Sequence, residues 1–459
     1  MPEYEKRQGE NNSASDGGSY MRQLVLATIA WLLLSPLSFG QKEYPPLDEI
    51  VESGVPEVLD FIEQLAGALD QAGKAWLAAL EQSAEEGSVE AQADLCRVYH
   101  QGFILLDNRY MKVPKDYRKA LTLCKEAAEQ GHPVARYTLG KMYYFGLGVN
   151  KNYTDAFKWM RLAAEQGNAN AQVLLGIKYA TGGGVPEDHG EAARWYRMAA
   201  EQGHPVAQIT LSDMYYFGLG VNKNYTDAFK WMRLAAGQGI ATAQANLGLL
   251  YDNGKGVPED HGEAAKWYRM AAEQGEAMGQ ANLGLLYDNG EGVPEDDRQA
   301  VKWYRKAAEQ GNPLAQGNLG FHFDTGEGVP EDHGEAAMWY RRAAEQGNAE
   351  AQANLGLLYD NGEGVPENDQ KAVTWYRKAA EQGNANAQVL LSLKYAKGEG
   401  VPEDYVQGYA WSNLAAAQGN KTAPILKNSL REKMTAEQVA KAQELSAELF
   451  SRIESLKSK

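Results

Sequence analysis

The chain of 459 residues holds 48 Gly, 25 Tyr and 10 Trp but only 10 Phe, and 45 Lys and Arg stand against 61 Asp and Glu for a net charge of −16. That acidity argues against sequence-independent nucleic-acid binding and against docking on anionic lipid, both of which need basic surface. A hydrophobic fraction of 44% excludes wholesale disorder, and two Cys exclude a disulfide-knit or Cys-rich zinc framework.

Residues 1–20 are polar, turn-rich and aperiodic, and read as disordered or as a start assigned too early, with Met21 as the alternative initiator. Residues 21–40 have the layout of a secretory signal peptide: Met21-Arg22, an apolar run from Leu24 to Leu34, and small residues ahead of a cleavage point after Gly40. A membrane span needs about 20 apolar residues, and Pro36 ends this run first. Export is expected, with no span left after signal removal. Residues 41–87 read as an N-terminal helical cap, with Leu59, Ile62, Leu65, Leu69, Trp76 and Leu80 as its core.

From 88 to 419 the sequence repeats itself. Ala-Ala-x-Gln-Gly ends on a glycine at 131, 167, 203, 239, 275, 311, 347, 383 and 419, at a constant interval of 36. Trp holds a second register from Trp159 to Trp411, an aromatic a third from Tyr143 to Tyr395, and a turn glycine a fourth from Gly148 to Gly400. Such periods announce a repeat array, in which each unit buries its apolar face only against its neighbours.

Each unit resolves into two helices. In 348–383, Ala351, Leu355 and Tyr359 share one helical face, and Gly356 offers a place where another backbone can come close. Asn361-Gly362-Glu363-Gly364-Val365-Pro366 breaks that helix. A second helix then carries Ala372, Trp375, Tyr376 and Ala379, and Gly383 closes it. The first unit is longer, with an eight-residue insertion, Phe103 to Tyr110, in its turn. Residues 420–459 read as a C-terminal helical cap, where Thr435-Ala436-Glu437-Gln438 forms a capping box.

The pattern Ala-x-x-x-Leu-Gly-x-x-Tyr-x-x-Gly-x-Gly-Val, followed by Ala-x-x-Trp-x-x-x-Ala-Ala-x-x-Gly, resembles the Sel1-like repeat, a relative of the tetratricopeptide repeat. The resemblance implies an all-α fold: a right-handed α/α solenoid of about nine 36-residue helix-turn-helix repeats over 88–419, with helical caps. Departures are few; Ser212 and Ser392 stand where other units have Gly after Leu. Closing stretches like 420–459 resemble those of bacterial members, which implies a periplasmic or secreted bacterial protein.

Catalytic and metal-binding patterns do not appear. His189, His261 and His333 recur every second unit, too far apart to share a metal, and read as solvated turn residues. The Gly182-Gly183-Gly184 run lacks the Lys-Ser/Thr of a phosphate loop. The periodic Trp read as core rather than as a ligand-stacking ladder. Asn152-Tyr153-Thr154 and Asn224-Tyr225-Thr226 match a glycosylation pattern, but Thr154 and Thr226 read as helix caps. Cys96 and Cys124 fall near the middle of paired helices, and a disulfide and two buried thiols are equally open readings. No metal and no cofactor is expected.

By resemblance to tetratricopeptide repeats, a concave groove is lined by the residue before Leu-Gly and those after the Tyr. Those places hold Asn246, Asn282, Asn318 and Asn354, and Asp252, Asp288, Asp324 and Asp360. Residues 240–383 carry 24 acidic and 12 basic side chains, a net −12, against +3 over 132–239. A cationic protein or peptide segment is therefore the expected partner, and charge reversal at Asp252 and Asp288 is expected to weaken it without unfolding. The expected function is an exported, non-catalytic adaptor. The alternatives are recognition of a cell-wall polysaccharide by aromatics such as Tyr144 and Tyr216, and, further off, the β-lactamase-like hydrolysis linked to relatives far richer in Cys.

Overall fold

The computed structural model describes residue 71 and residues 73–106, 109–183 and 185–457, so the signal-like segment and most of the N-terminal cap lie outside the described residues. Two compact units divide the chain, Met1–Lys151 and Asn152–Lys459. Among the described residues both are built from short antiparallel helices, and no helix is long and apolar enough to cross a membrane.

In the first unit a helix over 73–85 half-buries Trp76 and Leu80 and leads into Val89–Gln101, Tyr117–Glu129 and Pro133–Phe145. The insertion folds as an antiparallel hairpin, β1 (Phe103–Leu106) with β2 (Arg109–Lys112), Phe103 opposite Lys112. This is a departure from the expected all-helical reading. Cys96 and Cys124 are joined by a disulfide between fully buried side chains, with Cα atoms 5.1 Å apart.

The second unit opens with Tyr153–Glu165 and continues through seven helix pairs, from Ala169–Thr181 with His189–Glu201 to Ala385–Lys397 with Tyr405–Ala417. Ala423–Glu432 and Ala436–Lys457 follow. We call the first helix of a pair inner and the second outer. The outer helices start at an Asp or Asn whose carbonyl-type oxygen accepts backbone N–H groups of the first turn, as Asp332 does from Gly334 and Glu335. In Tyr153–Glu165 and Tyr225–Gly237 that cap is Asn152 and Asn224, each accepting from the second and third residues after it. Thr154 and Thr226 are therefore first-turn residues, not the caps. At the far end Thr435 and Gln438 close the expected capping box, with Thr435 N donating to Gln438 Oε1 at 2.9 Å and Gln438 N to Thr435 Oγ1 at 3.2 Å.

The repeated residues now acquire partners. Inside a pair, the glycine after Leu faces the ring of the outer-helix Tyr: a Cβ on Gly284 would lie 2.8 Å from Tyr304 Cδ1, and one on Gly356 would lie 2.7 Å from Tyr376 Cδ1. The close approach is to an aromatic ring rather than to a backbone. Tyr268, Tyr304, Tyr340 and Tyr376 are almost completely buried there, each worth roughly 1.5–3 kcal/mol of transfer free energy. Where the ring is absent the slot varies: Gly140 is kept with Met160 in the ring's place, but two other units carry a serine. Ser212 accompanies Met232 and Ser392 accompanies Ser412, and both serines donate to an outer-helix carbonyl, Ala228 O at 2.7 Å and Gly408 O at 2.6 Å. Of the periodic Trp, five are buried, and Trp159, Trp267 and Trp375 are half-buried. Basic side chains lie over several of them, Lys378 Nζ standing 4.1 Å from the Trp375 centroid. They are core and lid.

Between pairs, two devices set the stacking. The buried inner-helix Gln donates back to a carbonyl of the preceding outer helix, as Gln316 Nε2 does to Ala308 O at 3.0 Å. Its own oxygen accepts from the Gln of the next Ala-Ala-x-Gln-Gly, Gln346 Nε2 at 2.7 Å. The ladder recurs from Gln172 with Gln202 to Gln388 with Gln418, leaving no buried amide oxygen idle. The second device is the turn glycine. Gly292 has φ +67°, and a Cβ there would lie 2.2 Å from the His261 carbonyl at the start of the preceding outer helix.

Candidate functional site: the inner-helix face of the second unit

Neighbouring inner helices from Ala241–Asp252 through Ala277–Asn289 and Pro313–Thr325 to Ala349–Asn361 approach each other more closely than the outer helices do. The free faces of these inner helices carry one apolar side chain per repeat: Leu249 is 39% exposed, Phe321 44% and Leu357 38%, with Leu285 half-buried between them. On one side of this column stand Asn246, Asn282, Asn318 and Asn354, all half-buried. On the other stand Asn253, Asn289, Thr325 and Asn361.

The four Asp of the expected groove are half-buried and committed. Each takes a hydrogen bond from the buried Tyr hydroxyl of its own repeat: Tyr268 to Asp252 at 3.3 Å, Tyr304 to Asp288 at 3.1 Å, Tyr340 to Asp324 at 3.5 Å, and Tyr376 to Asp360 at 3.2 Å. Burial first, and the adjacent carboxylate second, hold these hydroxyls far above the ordinary phenol range. Asn282, Asn318 and Asn354 reach the hydroxyls of Tyr268, Tyr304 and Tyr340 from the next repeat. Asn246 follows a repeat with Met232 in the Tyr place.

Each Asp also has a cation, supplied in two alternating ways. Asp252 pairs with His261 at 2.8 Å and Asp324 with His333 at 2.9 Å, both from the outer helix of the same repeat. These histidines are therefore ion-paired to the preceding helix and not merely solvated; His189 faces Ala180 in that register and contacts Glu187 instead. Asp288 pairs with His322 at 3.0 Å, and Asp360 with Lys394, both from the inner helix of the following repeat. In those two repeats the outer-helix position is Asp297 or Asp369, and Asp369 lies 2.7 Å from Lys394. The inner-helix column reads Leu286, His322, Leu358, Lys394. A cation enters by one route or the other, never by both.

His322 is fully buried. Its Nδ1 donates to the Glu327 carbonyl oxygen at 2.9 Å, and its Nε2 lies 3.0 Å from Asp288 Oδ1, the placement of an ion pair when the ring is protonated. Burial works against the charge, but the Asp288 carboxylate and Glu327 carbonyl outweigh it, helped by Asp297, and raise the pKa above the usual histidine value. His261 and His333 are raised chiefly by their hydrogen bonds to Asp252 and Asp324. Lys394 is held protonated by Asp360, Asp369 and Glu399 against the opposing effect of burial. A histidine pKa raised by folding adds stability that is complete below the unfolded value of about 6.5 and disappears as pH climbs through the folded value. The melting temperature of the wild type should therefore fall from pH 6 towards pH 9. His322→Leu should be less stable at pH 6 and should flatten that slope. An unchanged slope in the variant, read by circular dichroism, refutes the assignment.

Charge reversal at Asp252 or Asp288 would set a lysine against His261 or His322 and strip a buried Tyr of its acceptor, so it is expected to cost stability as well as any recognition. The column around Leu249, Phe321 and Leu357 is the part of this face free to meet a partner. Sequence reasoning missed it and missed the cations at 322 and 394; the signal available was a lone polar residue in an otherwise apolar 36-residue column.

The Sel1 repeat model matches nine consecutive segments, from 89–132 through 385–420. A crystal structure of a Sel1 repeat protein from Oxalobacter formigenes is 36% identical, covers 68% of this chain and 90% of its own, and superposes with a TM-score of 0.54. A protective antigen of uropathogenic Escherichia coli with an SLR fold is 33% identical over 82% of this chain and 95% of its own, with a TM-score of 0.47. No curated protein matches the chain.

Proposed function

Since the chain belongs to the Sel1 repeat family, whose members are generally protein-interaction scaffolds with a typically non-catalytic fold, we propose that it is an exported, non-catalytic adaptor that holds a protein or peptide on the inner-helix face of its second unit. The observation that carries the reading is the exposed apolar column from Leu249 to Leu357, bordered by side-chain amides and set in the stretch of net −12. Apolar side chains left in solvent in one line are the part of a surface that gains most from being covered. Asparagine beside them can donate to and accept from a peptide backbone, and the surrounding field favours a cationic segment. Export rests on the signal-like layout of residues 21–40.

Affinity capture from the native envelope tests this, run in parallel with Phe321→Asp/Leu357→Asp. A protein captured by the wild type and lost by the variant, at equal melting temperature, is the expected result. A partner retained by the variant places recognition elsewhere. A second reading, recognition of a cell-wall glycan, is favoured by the aromatic cluster in which Phe217, 64% exposed, and Tyr225 both meet Tyr216 edge-on, at 4.9 and 5.0 Å. Glycan fragments in the capture would support it.

A further inference from the structure

The apolar column continues from Leu249 towards the start of the second unit, and its next place holds a charge. Ile177, Asp213 and Leu249 occupy one position in three successive repeats, and Ile177 and Leu249 are 41% and 39% exposed. Asp213 is half-buried. Among the described residues it has no hydrogen bond and no cation, so burial acts on its carboxyl unopposed and raises its pKa. In this it differs from Asp252, Asp288, Asp324 and Asp360, each of which holds a Tyr hydroxyl and a cation. A carboxylate drawn partly out of water and left alone gains from a cation that covers it.

The surrounding repeat lacks the groups that serve a polar side chain elsewhere. Met232 stands in the Tyr place, and Tyr216 in the place of the paired Asp. Asn282, Asn318 and Asn354 reach back to the Tyr hydroxyl of the preceding repeat. Asn246 holds the same position, finds Met232 instead, and makes no side-chain hydrogen bond among the described residues. Ile209 and Tyr216 of the Asp213 helix pack against the cluster that holds Leu247 and Leu250, so the two helices face each other here. Phe217, one turn after Asp213 on the same face, is 64% exposed. The basic side chains of this aromatic cluster are engaged elsewhere. Arg197 Nη2 donates to the Tyr215 hydroxyl at 2.8 Å, and Lys223 and Lys255 lie 4.9 and 5.3 Å from the Tyr225 centroid.

A free carboxylate, an open aromatic face and an amide oxygen together suit a guanidinium. Its fork of N–H groups fits the carboxylate, its plane stacks on the ring, and its remaining N–H groups reach the amide. An ammonium satisfies the carboxylate but cannot stack as a plane. We infer that Asp213, with Phe217 beside it and Asn246 bordering it from the next inner helix, anchors an arginine side chain of the partner. This rests on the docking reading above and extends that face by one repeat.

The test pans a phage-displayed random dodecapeptide library on the full chain. Enriched peptides are then synthesised with a fluorescent label and their affinities read by anisotropy. They should share one arginine. Its replacement by citrulline, equal in shape and uncharged, should weaken binding to the wild type at least about tenfold, or some 1.4 kcal/mol. Lysine should recover only part of that loss. On Asp213→Asn the arginine and citrulline peptides should bind alike, and on Phe217→Ala the arginine and lysine peptides should converge. Asp213→Asn gives up no hydrogen bond, so its melting temperature should not fall. Enriched peptides without a shared arginine, or a citrulline penalty undiminished in Asp213→Asn, overturn the inference. If such peptides are still lost from Phe321→Asp/Leu357→Asp, the anchor is wrong and the docking face stands. An absence of enriched peptides also overturns the anchor, and envelope capture with Phe321→Asp/Leu357→Asp then decides the docking face by itself. Binding of soluble peptidoglycan fragments that is lost in Asp213→Asn gives the place to a glycan and overturns the inference as well.

Discussion

Removing residues 313–348, one whole repeat, is expected to destabilise the protein more than removing residues 277–348, two whole repeats. In the shorter deletion Asp288 and Asp297 meet Leu358 in place of His322, because Leu358 holds the equivalent position one repeat on. The other contacts across the new seam are like for like. Gln352 takes the place of Gln316, Gly356 of Gly320 and Gly364 of Gly328. What disappears is the cation. Leaving a buried carboxylate without its partner costs on the order of 3–5 kcal/mol, and Asp288, with its side chain 25% exposed, belongs at the lower end. In the longer deletion Asp252 keeps His261, and Leu358 arrives where Leu286 stood, so every charge remains matched. Thermal and urea denaturation of the three chains measures the difference. Leu358→His placed in the one-repeat deletion should recover most of the loss. A one-repeat deletion that melts above the two-repeat deletion and ignores Leu358→His would refute the alternating pairing.

Gly292→Ala should cost about 3–4 kcal/mol, against about 1 kcal/mol for Gly275→Ala. Both glycines have left-handed backbones, φ +67° and +90°, so both substitutions carry the same kind of conformational strain. Only Gly292 is also a contact. Its added methyl would fall 2.2 Å from the backbone of His261, whereas nothing lies within 4 Å of one on Gly275. A backbone cannot swing aside as a lysine tip can, so the repeats must separate or the turn must refold. Equal destabilisation of the two variants in urea melts would show that the turn glycine is kept for its dihedral alone.

These two experiments mark where sequence reading succeeded and where it stopped. The period, the helix pair and the glycine registers were legible because each recurs at one interval and each has a local cause: a turn, a cap or an apolar stripe. The partners of the same residues were not. Gln346 bonds Gln316 thirty residues away, across a helix boundary, and nothing in a repeated Gln says whether it is buried or exposed. The four Asp looked alike in sequence and so read as one binding row. Their cations come from two different columns in alternation, which hides the pairing from any single-column view. Thr154 was an acceptable cap by residue type, but so was Asn152 two places earlier, and backbone direction decides for Asn152, at φ −145° and ψ 99°. The hairpin at Phe103–Lys112 had a signal in Asp107-Asn108, a turn pair between two four-residue runs.

The two kinds of seam differ in how a gene encoding them can grow. From Gln172 onwards the Gln ladder repeats unchanged and the turn glycine keeps its register, so by those contacts alone any of these units could follow any other, and unequal crossing-over could add or drop units singly; only Arg136, earlier in the chain, replaces the Gln. The acidic stretch is less permissive, because a His261-type unit and an Asp297-type unit are not interchangeable neighbours. Recombination there conserves matched charges only when it moves units in pairs. Residues 143–164 recur without change at 215–236, an offset of 72 residues: a copying event of the same two-unit step, left in the part of the chain that carries none of the four aspartates.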